Sequence, residues 1–323
     1  MILFRCARPV SRARRWALVG LAACVLVACG GGELKTVVLI GGPASEGPGR
    51  HAYPDGIRKL RAMLEQDAKG RVRVQAYPDG WPADPAALAQ ADAVVLYFDG
   101  LDQHPLRDAG HRAAFEAAMQ RGAGVVALHQ ASTVPEGEDL GLARWLGAVR
   151  VGTFDRTTQW ATLEPSASHP VTEGLKAFSY RDEFYPTFRG DGQRTPLLQA
   201  VLHPQFRDGQ PVLDDIAERT DVAWSHEREG GGRGVVFSGA HYLAALSQPS
   251  VRQTLLNAIL WSAQAGTVAA PAIPVDASRT PSPVGDAGTV QRATFHIDAA
   301  RTGWRRDEPT LTPAVVGAKD FGL

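Results

Sequence analysis

Between Lys35 and about Ala265 the chain alternates short apolar runs with stretches whose apolar residues recur at helical spacing. Thr36-Val37-Val38-Leu39-Ile40 reads as a strand buried on both faces, the pattern of a parallel sheet. A Gly/Pro-rich loop from Gly41 to Asp55 follows, and then Ile57, Leu60, Met63 and Leu64 mark a helix. Arg71-Val72-Arg73-Val74 predicts a second strand and residues 93–98 a third. A helix from about Leu106 to Arg121 buries Phe115, Ala118 and Met119, and Gly124-Val125-Val126-Ala127-Leu128 is the fourth strand. Strands alternating with helices of this length predict an α/β fold: a doubly wound, mostly parallel sheet with helices on both faces.

The middle of the chain is less regular. Leu140 to Leu146 reads as a short helix, and Thr157–Leu163, Leu197–Leu202, Val222–Ser225 and Gly234–Ser238 read as strands. Val251, Leu255, Leu256, Ile259 and Leu260 form the last helix. Residues 35–265 are thus one α/β domain. Residues 266–290, rich in Ala, Pro, Ser and Thr, carry a linker signature. Residues 291–323 regain aromatic and apolar positions but are too few for a core of their own.

All three cysteines, Cys6, Cys24 and Cys29, lie in the first 29 residues. That stretch holds five arginines and then a 13-residue apolar run, Trp16 to Ala28. A basic segment, an apolar segment and small residues before a cut describe an export signal. The run is short of the roughly 20 apolar residues a spanning helix needs. Leu26-Val27-Ala28-Cys29-Gly30 resembles a bacterial lipobox, in which Cys29 is lipidated and begins the mature protein; Cys24 is a second candidate, and an uncleaved anchor is the alternative. Residues 1–29 are then a lipoprotein signal peptide and residues 30–34 a Gly tether. The expected location is the periplasmic side of a bacterial membrane. Lipidation of Cys29 leaves the folded part without a thiol nucleophile, disulfide or thiolate metal site. Lys+Arg and Asp+Glu both total 34, and five of the arginines leave with the signal, so the mature chain is mildly acidic. No basic stripe remains, which argues against a nucleic-acid partner.

In an open α/β sheet, ligands sit outside the carboxyl ends of the strands, so polar groups just after each strand are the candidates. The first strand is followed by a lip carrying Ser45, Glu46, Arg50, His51 and Tyr53, with neither GxGxxG nor Walker spacing. The third ends at Asp99-Gly100, with His104 nearby; the fourth runs straight into His129, with Ser132 close but in no nucleophile elbow. Later come His169 before a proline, the adjacent carboxylates Asp182 and Glu183, Trp224 as a stacking surface for a sugar, and His241 after Gly239. Asp182 and Glu183 point to opposite sides of an extended strand, so one can line a pocket while the other caps or pairs. His51, His129 and His241 are also candidate ligands for a divalent metal, although spacing alone does not bring them together.

Taken in order, several segments resemble the ThuA-like (trehalose utilisation) family over residues 36–264. They are Gly49-x-His51-x-Tyr53-Pro54, Ala91-Asp92-Ala93-Val94-Val95 with Asp99-Gly100, and Gly122-x-Gly124-Val125-Val126-x-Leu128-His129. The set continues with His169-Pro170-Val171-Thr172-x-Gly174, Asp182-Glu183-x-Tyr185, Val222-Ala223-Trp224, Gly231-Gly232-Arg233-Gly234, Gly239-x-His241 and Leu256-Asn257-Ala258-Ile259-Leu260-Trp261. The resemblance implies a flavodoxin-like fold of the class I glutamine-amidotransferase-like superfamily without amidotransferase chemistry. It also implies a link to carbohydrates, including oxidised (keto) sugars, with His51, His129, Glu183 and His241 as pocket residues. The chain departs from the family pattern at Gln130 and Thr133 after His129 and at Tyr242-Leu243 after His241. The tail, from Thr294-Phe295-His296-Ile297-Asp298 through Arg301-Thr302-Gly303-Trp304 to Leu311-Thr312-Pro313, resembles the start of a pyrroloquinoline-quinone-type (PQQ) quinoprotein β-propeller. A stray segment packed on the main domain is the alternative for the tail.

Two functions follow as expectations. The first is a lipid-anchored enzyme of isomerase, lyase or hydrolase type. It would act by acid/base chemistry beside a sugar carbonyl, with His129 and Glu183 catalytic and His51, Tyr53, Asp99, Trp224 and His241 binding substrate. The second is a non-catalytic carbohydrate-binding or scaffold module coupled to a quinoprotein or redox partner. An interaction module without a small ligand is a third, and it requires that the strand-end groups not meet. No cofactor is assigned to the main domain by default, a divalent metal being the one option raised.

Overall fold

In a computed structural model of the chain, Val37, Val38, Leu39 and Ile40 have no exposed surface. Alternate residues of this run enter two separate apolar clusters, because successive strand side chains point to opposite faces. Val37 and Leu39 pack with Ile57, Leu60, Leu64, Leu255 and Ile259. Val38 and Ile40 pack with Leu88, Phe115, Ala118, Met119 and Leu146. The structure describes residues 34–268 except 85, 139, 153–154, 167, 208–209 and 214–215. The segment expected to be a signal peptide with Cys29, residues 30–33 of the expected tether, residues 269–290 of the expected linker and the tail 291–323 lie outside the described residues.

The main sheet contains β1 (Lys35–Gly41), β2 (Val72–Tyr77), β3 (Ala93–Tyr97), β4 (Gly124–Leu128), β5 (Thr157–Pro165), β6 (Phe178–Phe184), β7 (Thr195–Leu202), β8 (Glu218–Glu227) and β9 (Arg233–Phe237). The helices among the described residues are α1 (Tyr53–Asp67), α2 (Ala86–Ala89), α3 (Ala109–Gln120), α4 (Ala143–Leu146) and α5 (Pro249–Ser262). The strand order is β2-β1-β3-β4-β9-β8-β7-β5-β6. Pairing is parallel from β2 to β9 and antiparallel from β9 to β6. The expected parallel pairing therefore holds across five strands, and the sheet as a whole is mixed. The reason lies in the connections: among the described residues no helix stands between β5, β6, β7 and β8, and a parallel pair needs a crossover of a dozen or more residues, usually helical.

Local signals explain where the helices begin. Pro54 occupies the first turn of α1, and Tyr53, Ile57, Leu60 and Leu64 form its buried face. The helix expected from Leu106 to Arg121 is divided. A 3-10 turn covers Pro105–Arg107, and α3 starts afresh because the Asp108 side chain caps the His111 N–H at 2.9 Å. α5 is buried nearly all round, as a helix enclosed by sheet and neighbouring segments must be. No helix among the described residues is long and apolar enough to cross a membrane.

β6 is last in the strand order, yet Asp182 accepts hydrogen bonds from Ala240 N at 2.6 Å and His241 N at 3.1 Å, just beyond β9. The β5–β6 hairpin therefore folds back across the carboxyl edge of the parallel strands. That fold-back brings Glu183 to the histidines.

Candidate functional site

β1, β3, β4 and β9 are consecutive in the sheet, and each delivers polar groups at its carboxyl end, where open α/β sheets bind ligands. The lip after β1 carries Ser45, Glu46 and His51, Asp99 follows β3, His129 follows β4 directly, and His241 follows β9. Three residues here have left-handed backbone without being glycine: His51 (φ 41°), His129 (φ 53°) and Ala240 (φ 75°). Such conformations cost about 1–3 kcal/mol each and persist only where the surroundings enforce them. Here the enforcement is visible. His51 N donates to His241 O at 3.1 Å, and Asp182 holds the Ala240 and His241 N–H groups. Gly239 makes the second contact possible, because a Cβ there would stand 2.5 Å from the Tyr180 hydroxyl and 3.1 Å from Asp182 Oδ2. Asp182 and Tyr180 thus occupy the space that Gly239 leaves open.

The three imidazoles meet. His51 Nε2 lies 3.1 Å and His241 Nδ1 3.3 Å from His129 Nε2. One ring nitrogen from each lies within 4.8 Å of the other two. The Tyr185 hydroxyl also reaches His129 Nε2, at 3.0 Å, and Glu183 Oε1 lies 3.9 Å from it. On the outer side of the cluster, His129 Nδ1 is 2.9 Å from the Ser238 carbonyl oxygen. His51 Nδ1 faces Ser45 Oγ at 3.0 Å, Asp99 Oδ1 at 3.3 Å and Glu46 Oε1 at 3.5 Å. His241 Nε2 faces Glu46 Oε2 at 3.7 Å. The Tyr53 hydroxyl donates to Asp99 at 2.6 Å and its ring stacks on His51. Glu46 and Asp99 have side chains 33% and 23% exposed, against 0% for His129, so solvent reaches the cluster from the lip.

Burial sets the protonation. It drives His129 well below the ordinary histidine range, helped by the neighbouring His51 charge. Burial, then His51 and Arg50, bring His241 down to about 3. Both are therefore neutral at physiological pH. Burial raises Glu183, against the opposing pull of Arg156 and Arg150, and raises Asp182 to about 7 despite its backbone N–H bonds. Burial would raise Asp99 too, but hydrogen bonds from His51, Ser45 and Tyr53 outweigh it and hold the carboxyl low. The Arg150 guanidinium carbon lies over the Tyr185 ring, 4.0 Å from its centroid.

Six of the residues singled out from sequence come together here: His51, Tyr53, Asp99, His129, Glu183 and His241. Tyr53 is completely buried with its hydroxyl on Asp99, so it positions that carboxylate and offers substrate no face. Trp224 does not join them. It has no exposed surface, its indole N–H donates to Leu146 O at 2.8 Å, and its ring packs on Phe188. It is a core residue, which corrects the expectation of a sugar-stacking tryptophan. Ser132 is tied to His129 O at 2.8 Å, and His104 and His169 are packed elsewhere with their own partners. Sequence reasoning assigned no role to Glu46 or Tyr185. Tyr185 carried a usable signal, since it stands two residues after Glu183 and shares its face of the extended chain. Asp182, on the opposite face, is the structural partner of the pair.

The sequence profile of the ThuA family, described as trehalose utilisation, matches residues 38–262. No curated protein matches the chain. A ThuA-like protein of known structure from Bacteroides uniformis superposes with a TM-score of 0.52 at 15% identity, over 72% of this chain and 94% of that one. A glutamine amidotransferase from Thermotoga maritima covers 72% of this chain and 90% of its own at 10% identity. Its TM-score is 0.37.

Proposed function

The chain belongs to the ThuA, or trehalose-utilisation, family, and from that premise we propose that it acts on a carbohydrate, with an oxidised (keto) sugar as the substrate class. One observation carries the chemistry: Glu183 is 7% exposed, its carboxyl is raised by burial, and it stands 3.9 Å from His129, which burial keeps neutral. A carboxylate raised toward neutrality is suited to proton transfer at a carbon beside a carbonyl. Glu183 takes that proton, the C–H electron pair becomes the enolate π bond, and the carbonyl pair moves to oxygen. For isomerisation the hydroxyl on the deprotonated carbon passes its proton to the enolate oxygen, its own C–O becomes the new carbonyl, and Glu183 returns its proton at the former carbonyl carbon; for elimination the carbonyl re-forms as a β-substituent leaves with its electron pair. His129, the base expected from sequence, is too enclosed and too far depressed for that role. Glu183 is the better proton carrier.

The test is proton NMR of the full chain with a panel of sugars and their 3-keto derivatives. Turnover of a keto-sugar is expected, reduced about 10²- to 10⁴-fold in Glu183→Gln. Line broadening without turnover would replace the enzyme by a binding module, and no response to any sugar would end the carbohydrate reading.

We propose in addition that the chain is exported and anchored by lipid on Cys29, on the strength of the basic, apolar and Leu26-Val27-Ala28-Cys29 segments. Cys29→Ser should then move the protein from the membrane to the soluble fraction; unchanged partitioning would count against the anchor. A keto-sugar arises by two-electron oxidation of an alcohol, so the upstream reaction is a dehydrogenation. The quinoprotein-like tail sequence agrees with a redox partner of that class.

A further inference from the structure

We infer that His51, His129 and His241 together hold one divalent transition-metal cation, with Glu183 as the carboxylate beside it. The carbohydrate reading supplies the cation's use, as a Lewis acid on the sugar carbonyl; the site itself follows from the geometry alone.

The argument is a count of protons and lone pairs. His129 Nδ1 is 2.9 Å from the Ser238 carbonyl, which only accepts. That nitrogen therefore carries the hydrogen, and Nε2 presents a bare lone pair. His51 Nδ1 looks outward to Ser45 and to the carboxylates of Asp99 and Glu46, and His241 Nε2 looks outward to Glu46. A proton on each outward nitrogen faces an oxygen acceptor, Ser45 Oγ or Asp99 for His51 and the Glu46 carboxylate for His241. It also leaves three lone pairs converging inward: His51 Nε2, His129 Nε2 and His241 Nδ1. Outer acceptors that fix the tautomer and aim the inner nitrogen are the supporting shell expected of metal-binding histidines.

Hydrogen bonding within the cluster does not resolve this convergence. His129 Nε2 has one lone pair, while His51, His241 and the Tyr185 hydroxyl all approach it, at 3.1, 3.3 and 3.0 Å. A proton given to one leaves the others facing a group already satisfied. A cation satisfies all three nitrogens at once. Zn–N bonds of about 2.0–2.1 Å in tetrahedral geometry put ligand nitrogens about 3.3 Å apart. The two closest pairs here are 3.1 and 3.3 Å apart, and the widest is within 4.8 Å.

The donor set narrows the metal. Imidazole nitrogens suit Zn, Cu, Fe, Co or Ni, whereas Mg and Ca prefer oxygen. Glu46, Asp99 and Glu183 stand 3.3 to 3.9 Å from the histidine ring nitrogens and face the positive charge of Arg50, Arg150, Arg156 and Arg181 acting on His129 and His241. Three histidine ligands would leave a fourth position open, the arrangement of catalytic sites.

The experiment strips the full, tag-free chain with chelator and titrates it with Co²⁺ and then Zn²⁺. One Co²⁺ per chain is expected, with the visible absorption of a low-symmetry site, displaced by Zn²⁺. His51→Gln and His241→Gln, checked for folding by circular dichroism, should each weaken binding by about 100-fold or more. Absence of a stoichiometric Co²⁺ spectrum, or folded variants binding as tightly as the parent, overturns the site. The carbohydrate reading fails separately. A chain that binds Co²⁺ yet leaves every sugar unchanged keeps the cation site and loses that reading. A chelated chain that still turns over keto-sugar and takes up no cation does the reverse.

Discussion

His104 and His169 are 2% and 9% exposed, and the cluster histidines His51, His129 and His241 are 5%, 0% and 5%. Burial lowers His104 and His169 as it lowers His129 and His241. The two groups differ in how their nitrogens are matched. His104 Nδ1 accepts from Leu106 N at 3.1 Å and its Nε2 faces Ala131 O at 3.3 Å, one partner for each nitrogen. His169 is matched in the same way, by Val171 N and the Ser225 hydroxyl. His129 Nε2 instead draws three approaching groups. The backbone differs too: His51 and His129 stand in left-handed conformations, while His104 has φ −65°. Burial and a depressed pKa are therefore common to both groups. Convergence on a shared point, held by strained backbone, is what sets the cluster apart.

The sharpest way to break this comparison is to release the strain. Asp182 accepts from the N–H groups of Glu183 (2.9 Å), Ala240 (2.6 Å) and His241 (3.1 Å). Asp182→Ala leaves these donors buried without an acceptor, at about 1–3 kcal/mol each before relaxation. A loss of about 3–5 kcal/mol in urea denaturation is expected. An unchanged midpoint would show that the left-handed turn before His241 stands without its clamp.

Much of this arrangement was legible in the sequence, for a reason that also sets the limit. Strands of the parallel half are continuous apolar runs because both faces are covered, so β1, β3 and β4 are found within a residue or two. The strand-end rule then leads to His51, Asp99, His129 and His241 without knowledge of any contact. The antiparallel half is different. β5 has only three fully buried residues, interleaved with partly exposed ones, and nothing in its pattern says which strand it pairs with or that its hairpin folds back over β9. Glu46 is named in the lip but receives no role from sequence, because its position depends on the course of a Gly/Pro-rich loop. Trp224 was misassigned because an apolar residue in a strand gives no sign of what covers it. β8 lies between β9 and β7, and Leu146 and Phe188 fill the space over the ring.

The matched histidines give the smaller and more selective test. Burial holds His104 neutral down to about pH 4, opposed by its bond to Ala131 O, whereas an unfolded histidine protonates near 6.5. Between those values the unfolded chain binds more protons than the folded one at this position. The contribution of His104 is therefore fully present above pH 6.5 and is lost as pH falls toward 4. The span corresponds to about 3 kcal/mol. Gln at this position can still accept from Leu106 N and donate to Ala131 O but does not titrate. The parent should therefore lose about 3 kcal/mol more than His104→Gln between pH 7 and pH 4, read from urea midpoints. If both chains lose stability in parallel, His104 is not held neutral, and one-to-one matching fails to separate structural histidines from the cluster at the carboxyl edge.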